Sequence, residues 1–352
     1  MKLSDISTTI NDALASAGLG GARGPVAGSR VDVSDVIRRA LDAAGIVSPT
    51  QPSAAAPTPA APGEFAWHTG TNGVAQRAYR LYVPTRPAAE PMPLIVMLHG
   101  CKQDPDDFAR GTRMNALAEE HGFLVAYPAQ TVRANGSNCW NWFSRSEQAR
   151  GGEEPSVIAA IVRQIGAMHP VDEASVFVAG LSAGAAMAVI LGETYPEVFR
   201  GVAAHSGLAV GAAHDVASAF AAMQGRGAPA EFRGRPSRNK ERFADARGQA
   251  VRTLVIHGDA DTTVAAANAD AIVAHAVEAF GDTLTVTDDR QQAGGRDCTV
   301  TCHLGADGQV AIERWTLHGA GHAWSGGDAA GSYTDARGPD ASAAIVRFFL
   351  GR

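Results

Sequence analysis

The sequence predicts an α/β protein with a mostly parallel central sheet and helices on both faces. Three observations carry that expectation. From residue 76 onward, apolar strand-like runs alternate with helix-length segments, the order that parallel crossover units require. Several runs, PLIVMLHG at 93–100 above all, are apolar without alternation, as suits a strand covered on both faces. The 352 residues are 45% hydrophobic and 19% charged, which supplies a large core and excludes wholesale disorder.

The elements follow in order. Strands are expected at QRAYRLYVP (76–84) and PLIVMLHG, then one helix over DDFARGTRMNALAEEHG (106–122) and a strand at FLVAYPA (123–129). A helix (154–169), a strand at SVFVAGL (175–181), a helix (183–196) and a strand at FRGVAAHSG (199–207) come next. After an Ala-rich, basic insertion, a strand at RTLVIHGD (252–259), a helix (268–280), strands ending in VAIERWTLHG (310–319) and a final helix (340–350) complete the pattern. Residues 208–250 read as an insertion or lid, and 226–252 hold eight Arg/Lys against three Asp/Glu. That local excess reads first as a solvated face, with attraction of carboxylate-ended oligomers as the sharper alternative.

Everything before residue 65 has another character. Residues 48–64, SPTQPSAAAPTPAAPGE, are Ala/Pro-rich and read as a linker. Residues 1–47 contain a repeat at an offset of 27, DISTTINDALASAGL at 5–19 and DVSDVIRRALDAAGI at 32–46. Each copy reads as a short amphipathic helix, capped by Ser7 or Ser34 and stopped by Gly18 or Gly45. The two helices pair with each other or lie on the 65–352 domain, or else residues 5–46 serve docking or self-association.

The net charge of -6 offers no basic face for nucleic acid. No apolar run is long enough for a membrane span, and the N-terminus lacks the basic start and apolar block of a signal peptide. The four cysteines, Cys101, Cys139, Cys298 and Cys302, suit two disulfides or four free thiols alike. A zinc site at CTVTCH would need a second ligand pair beyond Cys298, Cys302 and His303.

The chemistry gathers at strand ends. Gly180-Leu181-Ser182-Ala183-Gly184 joins a strand to a helix, where a tight turn exposes the serine hydroxyl beside a helix N-terminus. Asp261 follows the strand RTLVIHG, and His322 follows ERWTLHG. The order Ser, Asp, His is that of an α/β-hydrolase triad. Ser182 would be the nucleophile, His322 the base and Asp261 the carboxylate that orients it, with backbone N–H groups of Cys101 and Ala183 as the oxyanion hole.

The set LHGC (98–101), CWNWF (139–143), GLSAG (180–184), HGDADTTV (257–264) and GAGHAW (319–324) resembles the bacterial esterase/polyhydroxybutyrate (PHB) depolymerase family over about residues 76–350. The resemblance implies an α/β-hydrolase fold and a serine carboxylic-ester hydrolase that uses no metal or organic cofactor. It implies substrates such as poly(3-hydroxybutyrate) or hydroxyalkanoate oligoesters, with feruloyl or acetylxylan esters as the alternative. Its patterns favour Asp261 over Asp259 as the acid and His322 over His318 as the base, and it implies a Cys101–Cys139 disulfide; a Cys298–Cys302 bridge is a guess that the family motifs do not cover. Trp140, Trp142 and Trp324 become candidate substrate contacts, together with His99, which reads first as a scaffold for its loop. The family and the disulfide point outside the cytoplasm, while the N-terminus does not. The alternative outside enzymology is a silent hydrolase-fold scaffold acting through the N-terminal helices.

Overall fold

A computed structural model describes residues 61–85, 90–226, 250–281 and 284–351. The N-terminal repeat, nearly all of the linker and residues 227–249 of the insertion lie outside the described residues. Ten strands form one sheet in the order β1-β2-β4-β3-β5-β6-β7-β10-β9-β8. They are β1 Glu64–Thr71, β2 Gln76–Val83, β3 Met92–Leu98, β4 Leu124–Pro128, β5 Val171–Leu181, β6 Gly201–His205, β7 Arg252–Gly258, β8 Thr285–Ala293, β9 Arg296–Leu304 and β10 Val310–Leu317. The six strands from β4 to β10 are parallel, and antiparallel pairs finish both edges.

The described helices are α1 Pro105–Thr112, α2 Met114–His121, α3 Glu153–Met168, α4 Ala183–Thr194, α5 Val216–Met223, α6 Ala267–Phe280 and α7 Ala341–Leu350. The period-2 geometry of β3 sends Leu94, Val96 and Leu98 into one core and Ile95 and Met97 into the other. All five are buried, and each contributes roughly 1.5–3 kcal/mol relative to exposure. The first core also holds buried residues of α3, α4 and α6; the second holds residues of α1, α2 and α7, including Phe349 stacked on Phe177 at 4.5 Å.

Two local expectations change. The single helix over 106–122 breaks at Arg113, which takes φ 55 and serves as the last cap of α1 and the first of α2. Its guanidinium leaves the helix path to reach Asp340 at 2.8 Å and the Gly326 carbonyl at 2.9 Å, binding the break to the base of α7. The unexpected strand β1 pairs with β2 through a turn in which the Asn72 side chain accepts from the N–H groups of Val74 and Ala75. Asn72-Gly73 is a turn signal lying in plain sight.

Candidate active site

The strand-to-helix joint at Ser182 depends on glycines that admit close backbone packing. A methyl group at Gly184 would lie 2.1 Å from the Leu98 carbonyl oxygen, and one at Gly180 would lie 2.4 Å from the Gly184 backbone. Between them Ser182 takes φ 57, a conformation costing a non-glycine residue on the order of 1–3 kcal/mol. The turn is held by the Ser182 N–H donating to the His205 carbonyl at 2.9 Å. Its strain therefore rests on the end of β6.

His205 also reaches the third element of the site. Its ring Nε2 accepts from the Ser325 N–H at 3.1 Å, and its face stacks on Trp324 with centroids 5.2 Å apart. One buried residue thus ties the serine turn to the loop that carries His322. Burial pushes the His205 imidazole down to about 3, with the neighbouring His257 and His322 adding in the same direction. It stays neutral, as an acceptor must.

Asp261 stands on the loop after β7 with its carboxylate fully shielded from solvent. Oδ1 accepts from the N–H groups of Thr263 at 2.9 Å and Val264 at 2.8 Å, and Oδ2 lies 2.7 Å from His322 Nδ1. A second imidazole, His257, approaches Oδ2 at 3.5 Å while its Nε2–H donates to the Val264 carbonyl at 2.8 Å. Burial alone would raise the Asp261 pKa. The bonds from His257 and His322, the charge of His322 and the Val264 N–H overcome it and hold the carboxyl well below the usual range.

The loop after β3 lies against the serine. A methyl group on Gly100 would come within 3.6 Å of Ser182 Cβ. The loop is fixed by Gly100 N–H donating to Gln103 Oε1 at 3.0 Å, by Lys102 N–H donating to the Ser137 carbonyl at 2.7 Å, and by the Cys101–Cys139 disulfide. Among the described residues the Cys101 and Ala183 N–H groups meet no internal acceptor, and no hydrogen bond joins Ser182 Oγ to His322. Such bonds are often long before substrate arrives.

Beside Ser182 lies an open cavity walled by Cys101, Cys139, Trp142, Phe143, Leu208, Val264 and one side of α5. From α5 come Val216, Ala219, Phe220 and Met223. Among the described residues of this wall, Ser182 supplies the one hydroxyl. Gln148 joins its two sides: Nε2 donates to the Trp142 and Ala213 carbonyls, both at 2.7 Å.

Of the four residues expected to face substrate, Trp142 lines the cavity, and the other three are withdrawn into the framework. Trp140 is buried with its Nε1–H on the His99 carbonyl at 3.1 Å. Trp324 sits edge-on to Phe108, with its N–H on Ser342 Oγ. His99 accepts the Gln130 N–H on Nε2, so its Nδ1–H donates to the Gly100 carbonyl; burial pushes its pKa down to about 4.

Cys298 and Cys302 are free. Four residues along an extended strand put their Cα atoms roughly 13 Å apart, too far for a disulfide.

Sequence reasoning missed His205, His257, Gln148 and the wall from α5. His257 had a signal, its place inside HGDADTTV; the others act on partners distant in sequence.

The comparisons with known proteins agree with this architecture. The family model described as "Esterase PHB depolymerase" matches residues 77–298. Poly(3-hydroxyalkanoate) depolymerase C of Paucimonas lemoignei is 34% identical over 232 residues, covering 65% of this chain and 54% of that protein. Feruloyl esterase B of Neurospora crassa is 37% identical over 141 residues, covering 40% of this chain and 47% of that one. The chain thus spans about half the length of these curated relatives. The structure of an acetyl xylan esterase from Aspergillus awamori superposes with a TM-score of 0.63 at 20% identity, covering 82% of this chain and 100% of that one, a likeness of fold. The chain belongs to the esterase PHB depolymerase family and has the α/β-hydrolase fold.

Proposed function

We propose that the protein is a serine esterase that hydrolyses hydroxyalkanoate polyester or its oligoesters through an acyl-enzyme. Ser182 Oγ attacks the ester carbonyl while His322 takes its proton. The ionised Asp261 holds the His322 tautomer and balances the imidazolium. The N–H groups of Cys101 and Ala183 receive the oxyanion at the positive end of α4, each donor worth a few kcal/mol. His322 returns the proton to the leaving alcohol, then activates the water that releases the acid.

The observation that carries the substrate class is the apolar cavity beside Ser182. Short aliphatic side groups of a hydroxyalkanoate lose water there at no polar cost, whereas a sugar ring would leave hydroxyls without partners. The test incubates the protein and its Ser182→Ala variant with amorphous poly(3-hydroxybutyrate), hydroxybutyrate oligoesters, acetylated xylan and feruloylated xylan. Release of hydroxy acid by the parent chain alone is expected. Release of acetate or ferulate without hydroxy acid would overturn the substrate class, and equal release by the variant would overturn the mechanism.

A further inference from the structure

The loops after β7 and β10 carry a second imidazole–carboxylate pair, and this one is bonded to a hydroxyl on β9. Thr299 Oγ1 on β9 lies 2.9 Å from His318 Nε2, and His318 Nδ1 lies 2.9 Å from Asp259 Oδ2. Asp259 Oδ1 accepts the Gly319 N–H at 2.6 Å. That carboxylate fixes the ring tautomer, leaving Nε2 as the acceptor of the threonine hydroxyl. The imidazole and carboxylate are each more than 40% exposed. Arg290 stands directly across the β8–β9 pair from Thr299, on the same face of the sheet.

We infer that Thr299 is a second acyl acceptor, taking acyl groups from small esters with good leaving groups. Its hydroxyl oxygen bonds to the carbonyl carbon, the carbon–oxygen bond to the leaving phenol breaks, and the proton passes through His318 to the phenolate. General-base help contributes roughly 100- to 10,000-fold. The site has no paired N–H hole among the described residues, and one such donor alone contributes about 100- to 1,000-fold. Acylation is therefore confined to activated esters, and hydrolysis of the acyl-threonine is slower still. The acyl group accumulates on the protein.

The inference does not depend on Ser182, so the test uses the full chain carrying Ser182→Ala, treated with p-nitrophenyl acetate and mapped by peptide mass spectrometry. Thr301 is the internal reference: it lies two residues along β9 and bonds to Asp288 rather than to an imidazole. The expected result is a hydroxylamine-labile acetyl group on Thr299, formed at least about tenfold faster than any on Thr301 and slowed about 100-fold by His318→Gln. Thr299→Val should remove that label while leaving Ser182-dependent turnover in the parent chain unchanged. Equal labelling of the two threonines, or labelling of Thr299 indifferent to His318→Gln, would overturn the proposal.

Discussion

Asp261 and His322 meet at 2.7 Å with the carboxylate fully shielded and the imidazole 10% exposed, whereas Asp259 and His318 meet at 2.9 Å with 42% and 43% exposure. Both pairs hang from the loops after β7 and β10, two residues apart on one and four on the other. The geometry of the pairs is nearly equal, so geometry does not rank them. What separates them is surroundings. The inner carboxylate takes two backbone N–H groups and faces two imidazoles, beside a serine turn and an apolar cavity. The outer pair has one backbone N–H group, that of Gly319, a threonine hydroxyl and solvent. In a dry site each charge interaction counts several-fold more than at a wetted surface, so similar groups carry different chemical weight.

The sharpest way to break that distinction is to neutralise each carboxylate in turn. Asp261→Asn should reduce kcat on a short p-nitrophenyl ester by about 10,000-fold, because the amide imposes the wrong tautomer on His322. Asp259→Asn should change it less than about threefold, because the exposed pair lies off the proposed reaction path. Similar losses in steady-state assays of the two proteins would mean that the outer pair shares the work.

Legibility in the sequence divides along the same line. The strand ends, the serine turn and the Asp and His positions could be read because each sits at a boundary that local pattern marks. Which of two aspartates or two histidines is shielded could not, since burial of Asp261 comes from loops and side chains far away in sequence. Trp140 and Trp142 show the same limit: two residues apart on one loop, one anchors the His99 carbonyl and the other lines the cavity. β1 leaves little mark in the sequence because it lies at an edge beside the Ala/Pro-rich stretch and carries little continuous apolar run. The break at Arg113 answers to Asp340, 227 residues later.

The inner site is boxed by imidazoles kept neutral, which gives it a pH signature. Burial lowers His99 from its ordinary 6.5 to about 4 and His205 from 6.5 to about 3. In the unfolded chain both rings take up protons as the pH falls through about 6.5, and in the folded chain they do not. Their contribution to stability is therefore complete above 6.5 and lost as the pH falls, about 3 kcal/mol per ring by pH 4. Unfolding midpoints in denaturant across pH 7 to 4 should fall accordingly. A flat profile would show that the rings are solvated.

The inner site is also covalently braced, through the Cys101–Cys139 bond that borders the cavity and ties down the loop after β3. With its ends 38 positions apart in sequence, the bond limits the unfolded chain by about 3–4 kcal/mol. Mild reduction, or paired substitution to serine, should lower the unfolding free energy by about that amount and lower kcat as the loop loosens. Stability lost with kcat unchanged would confine the bond to a structural role.

The smallest expected effect falls on the outer pair. Bonds from His318 and Gly319 lower the Asp259 pKa against a burial effect that raises it, yet solvent reaches both partners of the ion pair. Exposed pairs of this kind contribute about 0.2–1 kcal/mol, and salt screens much of that. His318→Gln should therefore cost less than about 1 kcal/mol in denaturant unfolding, and the difference from the parent chain should shrink in concentrated sodium chloride. A loss of several kcal/mol, insensitive to salt, would mean that His318 holds the two loops together through packing, and the outer pair would then belong to the framework of the inner one.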